Sequence, residues 1–352
     1  MRAGRGFCSS PSLYVPAVLS IDVAWGRRRA PSSAGAADPT EFYDAYTFDV
    51  EARSTWRRAR SRFLRHRLAT GSLVVLTIIF GAGLLARHYA PYGYLEVNIK
   101  ALSQAPSWAH PFGTDQLGRD YFSRVLYAIG TEARIALIVG PLGALVGTVV
   151  GVVAGYFGGA VGEVLMRLTD LLLTLPPLIL ILVAVAYLHT TTALSISVLL
   201  ACLLWMPVAR IVRATTLELR EKEYTDAARA IGASDLRIIV RHILPNAVSS
   251  IAVAATVLTV GAIALETTLA YLGYGISAGA RPEKRIPSLG DVLSDASVEG
   301  LFHWWGIFFP GLVLVLILVS IYFVGDGLRD ALDPSGGGAA ARQRRWRRRF
   351  SA

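Results

Sequence analysis

The sequence predicts an all-α integral membrane protein with six transmembrane helices, and three observations carry that prediction. Hydrophobic residues make up 53% of the 352-residue chain and charged residues 17%. Mean hydropathy is +0.48, more apolar than the core of a water-soluble chain requires. Six apolar segments also approach the roughly 20 residues that a helix needs to cross the hydrocarbon layer. They run from about Ala69 to Ala90, Arg134 to Phe157, Leu171 to Leu188, Ala193 to Val212, Ala247 to Gly273 and Trp305 to Leu328.

Taken in chain order, the first forty residues hold Pro, Ser, Ala and Gly with scattered Arg and no apolar period. The stretch from Leu13 to Ile21 is interrupted by Pro16 and Asp22, so this region reads as a disordered tail rather than a signal peptide. Arg53, Arg57, Arg58, Arg60, Arg62, Arg65 and Arg67 then crowd the entrance to the first span, which places the N-terminus in the cytoplasm by the positive-inside rule. Six spans return the C-terminus to the same side, where Arg342, Arg344, Arg345, Arg347, Arg348 and Arg349 form a second basic cluster. The expected division is a cytoplasmic tail over 1–68, a membrane domain over 69–334 and a basic cytoplasmic tail over 335–352. The net charge of +10 is explained by topology and anionic lipid; no nucleic-acid module is visible.

In the second span Gly143, Gly147, Gly151 and Gly155 recur every four residues, a strip without side chains that lets another helix approach closely. Pro176 and Pro177 break the helical hydrogen-bond ladder in the third span and predict a bend there. Ionisable residues in the spans are scarce. Glu266 is the clearest and is the pore candidate, with a helix-to-helix hydrogen bond as its competing role; Asp170 and Asp326 lie near span ends. The segments from His110 to Arg124 and from Ser277 to Trp304 are expected at the outer face, with Trp304 and Trp305 in an aromatic belt.

Between the fourth and fifth spans, on the cytoplasmic side at about 218–246, lies the least membrane-like stretch, YTDAARAIGASDLRIIVRHILP from Tyr224 to Pro245. Tyr224, Ala227, Ala228 and Ile231 give one narrow apolar helical face, shallow where the two alanines adjoin. Gly232 falls where a left-handed residue ends a helix, and Ser234 with Asp235 supplies the next N-cap and first-turn acid. In the second helix Leu236, Ile239, Val240, Ile243 and Leu244 are expected on one face, with Pro245 ending the run. An amphipathic helical hairpin in a short loop points to a docking surface, the alternative being a loop that lies on lipid headgroups.

Several chemistries are absent. Lys100, Lys222 and Lys284 each follow a residue other than glycine, so there is no GxxxxGK[ST] phosphate loop. The six histidines are scattered and form no HExxH pair. Gly275, Ser277 and Gly279 satisfy GxSxG, but they follow a membrane helix rather than a strand and have no partner base. Cys8 and Cys202 sit on segments too different to pair. The chain is therefore expected to bind no cofactor or metal and to catalyse nothing.

At the hairpin the residues resemble a known family. Asp226, Ala227, Ala228, Gly232, Leu244 and Pro245 are similar to the EAA loop of binding-protein-dependent ABC import permeases, with Asp226 for the usual glutamate and His242 where isoleucine is typical. HPFGTDQLGRD at His110 to Asp120, GYFGG at Gly155 to Gly159, ARAIGASDLRIIVRHILPN at Ala228 to Asn246 and GDGLRDALDP at Gly325 to Pro334 extend the resemblance to the C-type subunit of dipeptide and oligopeptide importers. The resemblance implies a type I ABC importer permease architecture in the cell membrane. It also implies a second permease, two cytoplasmic ATPases that bind ATP and Mg, and an extracytoplasmic solute-binding protein. Tyr224, Asp226, Ala227, Ala228, Gly232, Leu244 and Pro245 would couple to an ATPase. Nickel complexes or other small solutes are alternative cargo, and a proton-coupled secondary transporter is the alternative from another class.

Overall fold

The computed structural model describes residues 55–188, 192–276 and 287–332. The N-terminal tail, the C-terminal arginine cluster, and Ser277 and Gly279 of the GxSxG match lie outside the described residues. Among the described residues the chain is helical, with one isolated antiparallel bridge between Thr114 and Asp120.

The chain enters through α1 (Thr55–Arg65) and α2 (Arg67–Leu84), followed by the short α3 (Ala86–Tyr89). His66 joins the first two: its Nδ1 accepts from Ala69 N at 3.2 Å, and its Nε2 lies 3.8 Å from Asp330 near the end of the last described helix. The second predicted span is longer than its apolar core. Helix α4 (Tyr121–Phe157) has 37 residues and begins well before Arg134, because Asp120 caps it by accepting from Ser123 N at 2.7 Å.

The third and fourth spans are bent. Helices α5 (Gly159–Leu173) and α6 (Pro177–Leu188) meet at 81°, where Pro176 and Pro177 withdraw two amide donors and push the preceding residues out of helical geometry. Helices α7 (Ala193–Leu204) and α8 (Met206–Arg220) meet at 44°, with Pro207 in the first turn of the second. This second break was not expected. The hairpin is built from α9 (Glu223–Ala230) and α10 (Asp235–Ile238), and after it come α11 (Leu244–Tyr271), α12 (Leu289–Glu299) and α13 (Trp304–Leu332). Four helical runs are long and apolar enough to cross a membrane, and each bent pair meets the same test when taken together; counting each pair as one span gives six.

Two apolar clusters hold the bundle. One gathers Ile135, Val139, Val152, Ile196, Leu200, Val208, Val212 and Leu258 from α4, α7, α8 and α11. The other gathers Tyr121, Val125, Ile129, Ile263, Leu289, Val292, Trp305 and Ile317 from α4, α11, α12 and α13. Leu73, Val74, Ile78, Leu145, Val149 and Val315 point outward, the arrangement that a hydrocarbon solvent favours for apolar side chains around satisfied helical backbones.

The glycine strip packs within this chain. A Cβ on Gly147, Gly151 or Gly155 would stand 2.6–2.8 Å from Val208, the Ala209 carbonyl or Thr216 of α8, and one on Gly143 would meet Leu258 of α11 at 2.8 Å. Close approach of α4 and α8 therefore requires these glycines. Trp304 is exposed, as an aromatic belt requires. Trp305 is not: it is buried, and its indole N–H points at the Thr114 carbonyl at 3.4 Å. That corrects the belt assignment for Trp305, which packs against the loop that carries Thr114 instead.

Candidate functional site

The stretch from Lys222 to Pro245 folds as a helical hairpin below the bundle. Lys222 occupies the N-cap of α9 without a side-chain bond, while the buried Thr225 hydroxyl donates to Leu219 O at 2.9 Å and ties the helix to the end of α8. At the other end Gly232 adopts φ +80°, Gly232 N donates to Arg229 O at 2.9 Å, and Ala233 N donates to Ala228 O at 3.0 Å. This is the Schellman pattern, which satisfies carbonyls the helix end would otherwise leave bare.

The second half departs from a plain amphipathic helix in three ways. Ser234 stands at the N-cap of α10, but its side chain makes no capping bond. Residues Ile239–Ile243 form a π-turn, so the buried positions are Ile238 and Ile243, five apart, while Leu236 and Val240 of the expected face are exposed. Pro245 does not end the helix. It sits in the first turn of α11, where its missing N–H is absorbed by the widened turn before it.

The hairpin is held from above by residues far away in sequence. Tyr156, at the end of α4, donates its hydroxyl to Asp235 Oδ1 at 2.6 Å, and its ring lies 5.9 Å from the Arg229 guanidinium. Arg220 Nη1 donates to the Tyr156 carbonyl at 2.9 Å. Beneath that brace Ala228, Ile238 and Ile243 pack against the Tyr156 ring as a small separate core. Arg229 also pairs with Asp226 at 2.9 Å. Sequence reasoning missed Tyr156, Arg220 and Arg229, since nothing local announces a contact between positions 156 and 235.

Of the residues singled out for docking, Ala228 is buried, Leu244 is half-buried, and Asp226, Ala227, Gly232 and Pro245 are exposed. Tyr224 is exposed beside His242, with ring centroids 6.4 Å apart, and Ile231 is 87% exposed. Tyr224, Ala227 and Ile231 thus form an apolar edge that nothing among the described residues covers, on a hairpin whose other side is fixed. Such an edge, rigidly backed and shallow at Ala227, is suited to a groove on another protein.

Glu266 is not where a pore residue belongs. Its carboxyl is wholly buried between α4, α11 and α12, within hydrogen-bond reach of Glu132. A fully enclosed side chain lines no path within this subunit, which corrects the pore assignment. Glu132 was missed because the span was begun two residues too late, at Arg134.

At the opposite end of the bundle, the HPFGTDQLGRD segment is a charged clasp. His110 Nδ1 and Asp120 Oδ1 lie 2.9 Å apart. Asp115 receives Arg119 Nε at 2.5 Å and Arg124 Nη1 at 3.2 Å, and both arginines continue to Asp295 of α12. Glu299 closes the clasp by accepting from Gln116 N at 2.9 Å. Burial above all, with Asp115 nearby, holds the Glu299 carboxyl above the usual glutamate range.

Residues 147–335 match the family described as binding-protein-dependent transport system inner membrane component, and residues 54–106 match the N-terminal TM domain of oligopeptide transport permease C. Curated relatives include the oligopeptide transport system permease protein OppC of Escherichia coli, 39% identical over 292 residues that cover 81% of this chain and 93% of that protein. The protein of the same name from Mycobacterium tuberculosis is 38% identical, covering 78% of this chain and 92% of its own length. The one from Bacillus subtilis is 33% identical, covering 83% and 93%. Among solved structures, a chain of the MetNI methionine ABC transporter in an inward-facing conformation aligns with a TM-score of 0.51 at 18% identity, over 59% of this chain and 96% of its own, and so shares the fold. With a family match across most of the membrane domain and full-length relatives well above 30% identity, this chain belongs to the binding-protein-dependent transport system inner membrane components, the permeases of ABC importers.

Proposed function

We propose that this chain is one half of the translocation path of an ATP-driven peptide importer, paired with a second permease. Two cytoplasmic ATPases bind ATP and Mg2+ for it, and an extracytoplasmic binding protein delivers di- or oligopeptides to its outer face. The termini and the hairpin lie in the cytoplasm, in keeping with the arginines that flank the first span. The observation that carries the coupling role is the uncovered Tyr224–Ala227–Ile231 edge on a hairpin anchored through Tyr156 to α4. Force applied there reaches the bundle through a hydrogen bond and a packed core rather than through slack chain. Nucleotide can bias the bundle only through contacts that differ between its states, and this edge is where such contacts would form. The peptide cargo rests on the names of the three relatives described above, each an oligopeptide transport system permease protein.

The test is purification of the tagged chain in mild detergent, with identification of co-purifying subunits, ATPase assay and uptake of labelled peptides in proteoliposomes. Recovery of a second permease and two phosphate-loop ATPases is the expected result. Gly232→Val is the informative variant: an added Cβ meets nothing within 4 Å, yet φ +80° is strained for a branched residue by about 1–2 kcal/mol. Hydrolysis without uptake is expected. Wild-type uptake in that variant, or an isolated chain that moves solute down a proton gradient, refutes the coupling role.

A further inference from the structure

The structure contains a pair of carboxyl groups that transport through a neighbouring permease half does not explain. Glu132 of α4 and Glu266 of α11 are both fully buried, beneath the first turn of α12. Ile129, Ile263, Leu289 and Ile317 belong to the surrounding apolar cluster. Glu132 Oε1 accepts from Leu289 N at 3.3 Å, and the neighbouring Thr131 hydroxyl donates to Pro287 O at 3.0 Å, so this turn of α4 carries the start of α12. The remaining oxygen of Glu132 and both oxygens of Glu266 meet no donor with hydrogen-bonding geometry, although the two carboxyls lie within reach of each other.

We propose that Glu132 and Glu266 form a proton-binding site in which the two carboxyls share one proton, and that this shared bond seats the N-terminus of α12 against α4 and α11.

Two carboxylates that touch are both acceptors; only a proton turns their contact into a bond, with one group as O–H donor and the other as O⁻ acceptor. Without it two like charges are held together out of water, the arrangement in which a carboxyl pair retains a proton. The described charged groups that bear on one another here are Glu132 from α4, Glu266 from α11 and, from α12, Asp291, which has interactions of its own. The basic residues of that part of α4 are elsewhere, Arg124 on Asp115 and Asp295, Arg134 at the surface. The Ser288 hydroxyl borders Glu266 and accepts from Asp291 N; its O–H remains a donor, but being neutral it offsets no charge. A metal ion fits less well than a proton, because two carboxyls walled by apolar side chains offer few of the roughly six oxygens that such an ion gathers.

The consequence is a seat that loosens as pH rises. Unseating α12 removes the Leu289 N–H from Glu132 and uncovers the two carboxyls to water, which favours their ionised forms and releases the proton. The opening equilibrium therefore increases about tenfold per pH unit over the range in which the covered pair keeps its proton and the uncovered pair does not.

The experiment uses the full-length chain with its co-purifying subunits in lipid nanodiscs. Infrared spectroscopy at neutral pH reads the carbonyl stretch of a protonated carboxyl, and hydrogen exchange at Leu289, corrected for intrinsic rates, reads the seat. The expected result is a protonated-carboxyl band in the wild type that disappears in both E132Q and E266Q. Leu289 protection should fall with rising pH in the wild type and stay flat in E266Q, whose amide donates to Glu132 without needing the proton. Absence of the band in the wild type overturns the proposal whether or not either variant folds. So does a band that survives both substitutions, protection that ignores pH, or protection that follows sodium concentration instead.

Discussion

Replacing Tyr156 with Phe removes one atom from the brace that holds the hairpin. The ring remains, and with it the packing against Ala228, Ile238 and Ile243, the Arg229 guanidinium at 5.9 Å and the edge contact with Phe157 at 5.3 Å. What is lost is a 2.6 Å hydrogen bond to a carboxylate. Bonds to charged groups contribute about 1.5–3 kcal/mol, and because Asp235 is exposed, water replaces part of that, leaving about 1–1.5 kcal/mol. The ratio of seated to unseated hairpin should fall by about tenfold. The hairpin itself stays folded, since its turn is closed by the Schellman bonds at Gly232 and Ala233. The assay is ATP hydrolysed per solute molecule taken up in proteoliposomes, alongside hydrogen exchange over residues 235–238. Uptake should drop severalfold while hydrolysis continues, and exchange should accelerate by about the same tenfold. Wild-type exchange and stoichiometry in Tyr156→Phe would show that the bond does not anchor the hairpin.

Three further predictions concern stability. Gly151→Ala sets an increase in helix propensity of about 1 kcal/mol against a Cβ placed 2.6 Å from the Ala209 carbonyl, which cannot swing away; overpacking of about 1–3 kcal/mol wins, and the melting temperature in detergent should fall. Arg124→Met strips the buried link between Asp115 and Asp295, with a penalty toward the lower end of about 3–5 kcal/mol because Arg119 still serves both acids; thermal unfolding should show it, with loss of outer-loop protection in hydrogen exchange. For Glu299, whose carboxyl is held above its ordinary value, the folded state binds the proton more tightly than the unfolded one. Its contribution to stability is thus complete below the ordinary glutamate pKa and is lost as pH rises through the raised value. Glu299→Gln keeps an acceptor for Gln116 N and should flatten that part of the profile of melting temperature against pH; an unchanged profile excludes Glu299 as its source.

The features legible in the sequence obey local rules. Gly232 ends a helix because its φ must be positive, and four glycines at fourfold spacing mark a close helix crossing; both follow from backbone geometry within a few residues. The prolines at 176 and 177 announced a bend, although its 81° size depends on packing. What escaped was set by tertiary contact. The π-turn moved the buried face of the second hairpin helix by one position, and no pattern of apolar residues reveals an extra residue in a turn. Glu132 was excluded by a span boundary drawn where polar residues began, whereas α4 continues through them because a partner acid, a helix N-terminus and apolar walls receive them. The outer helix α12 had a readable signal, Ser288 and Asp291 three apart, which form a capping box at its first turn.

The π-turn has a mechanical consequence. Because Pro245 is accommodated rather than terminating the helix, Asp235–Tyr271 is a single apolar rod of 37 residues, about 55 Å long. Its departure from α-helical geometry lies beside the hairpin, and beyond it α11 runs unbroken past Glu266 to Tyr271. A tilt imposed at the hairpin end is therefore not taken up by a break in the helix along the way. It is delivered as a lever stroke at the far surface of the membrane, where the outer clasp is fastened.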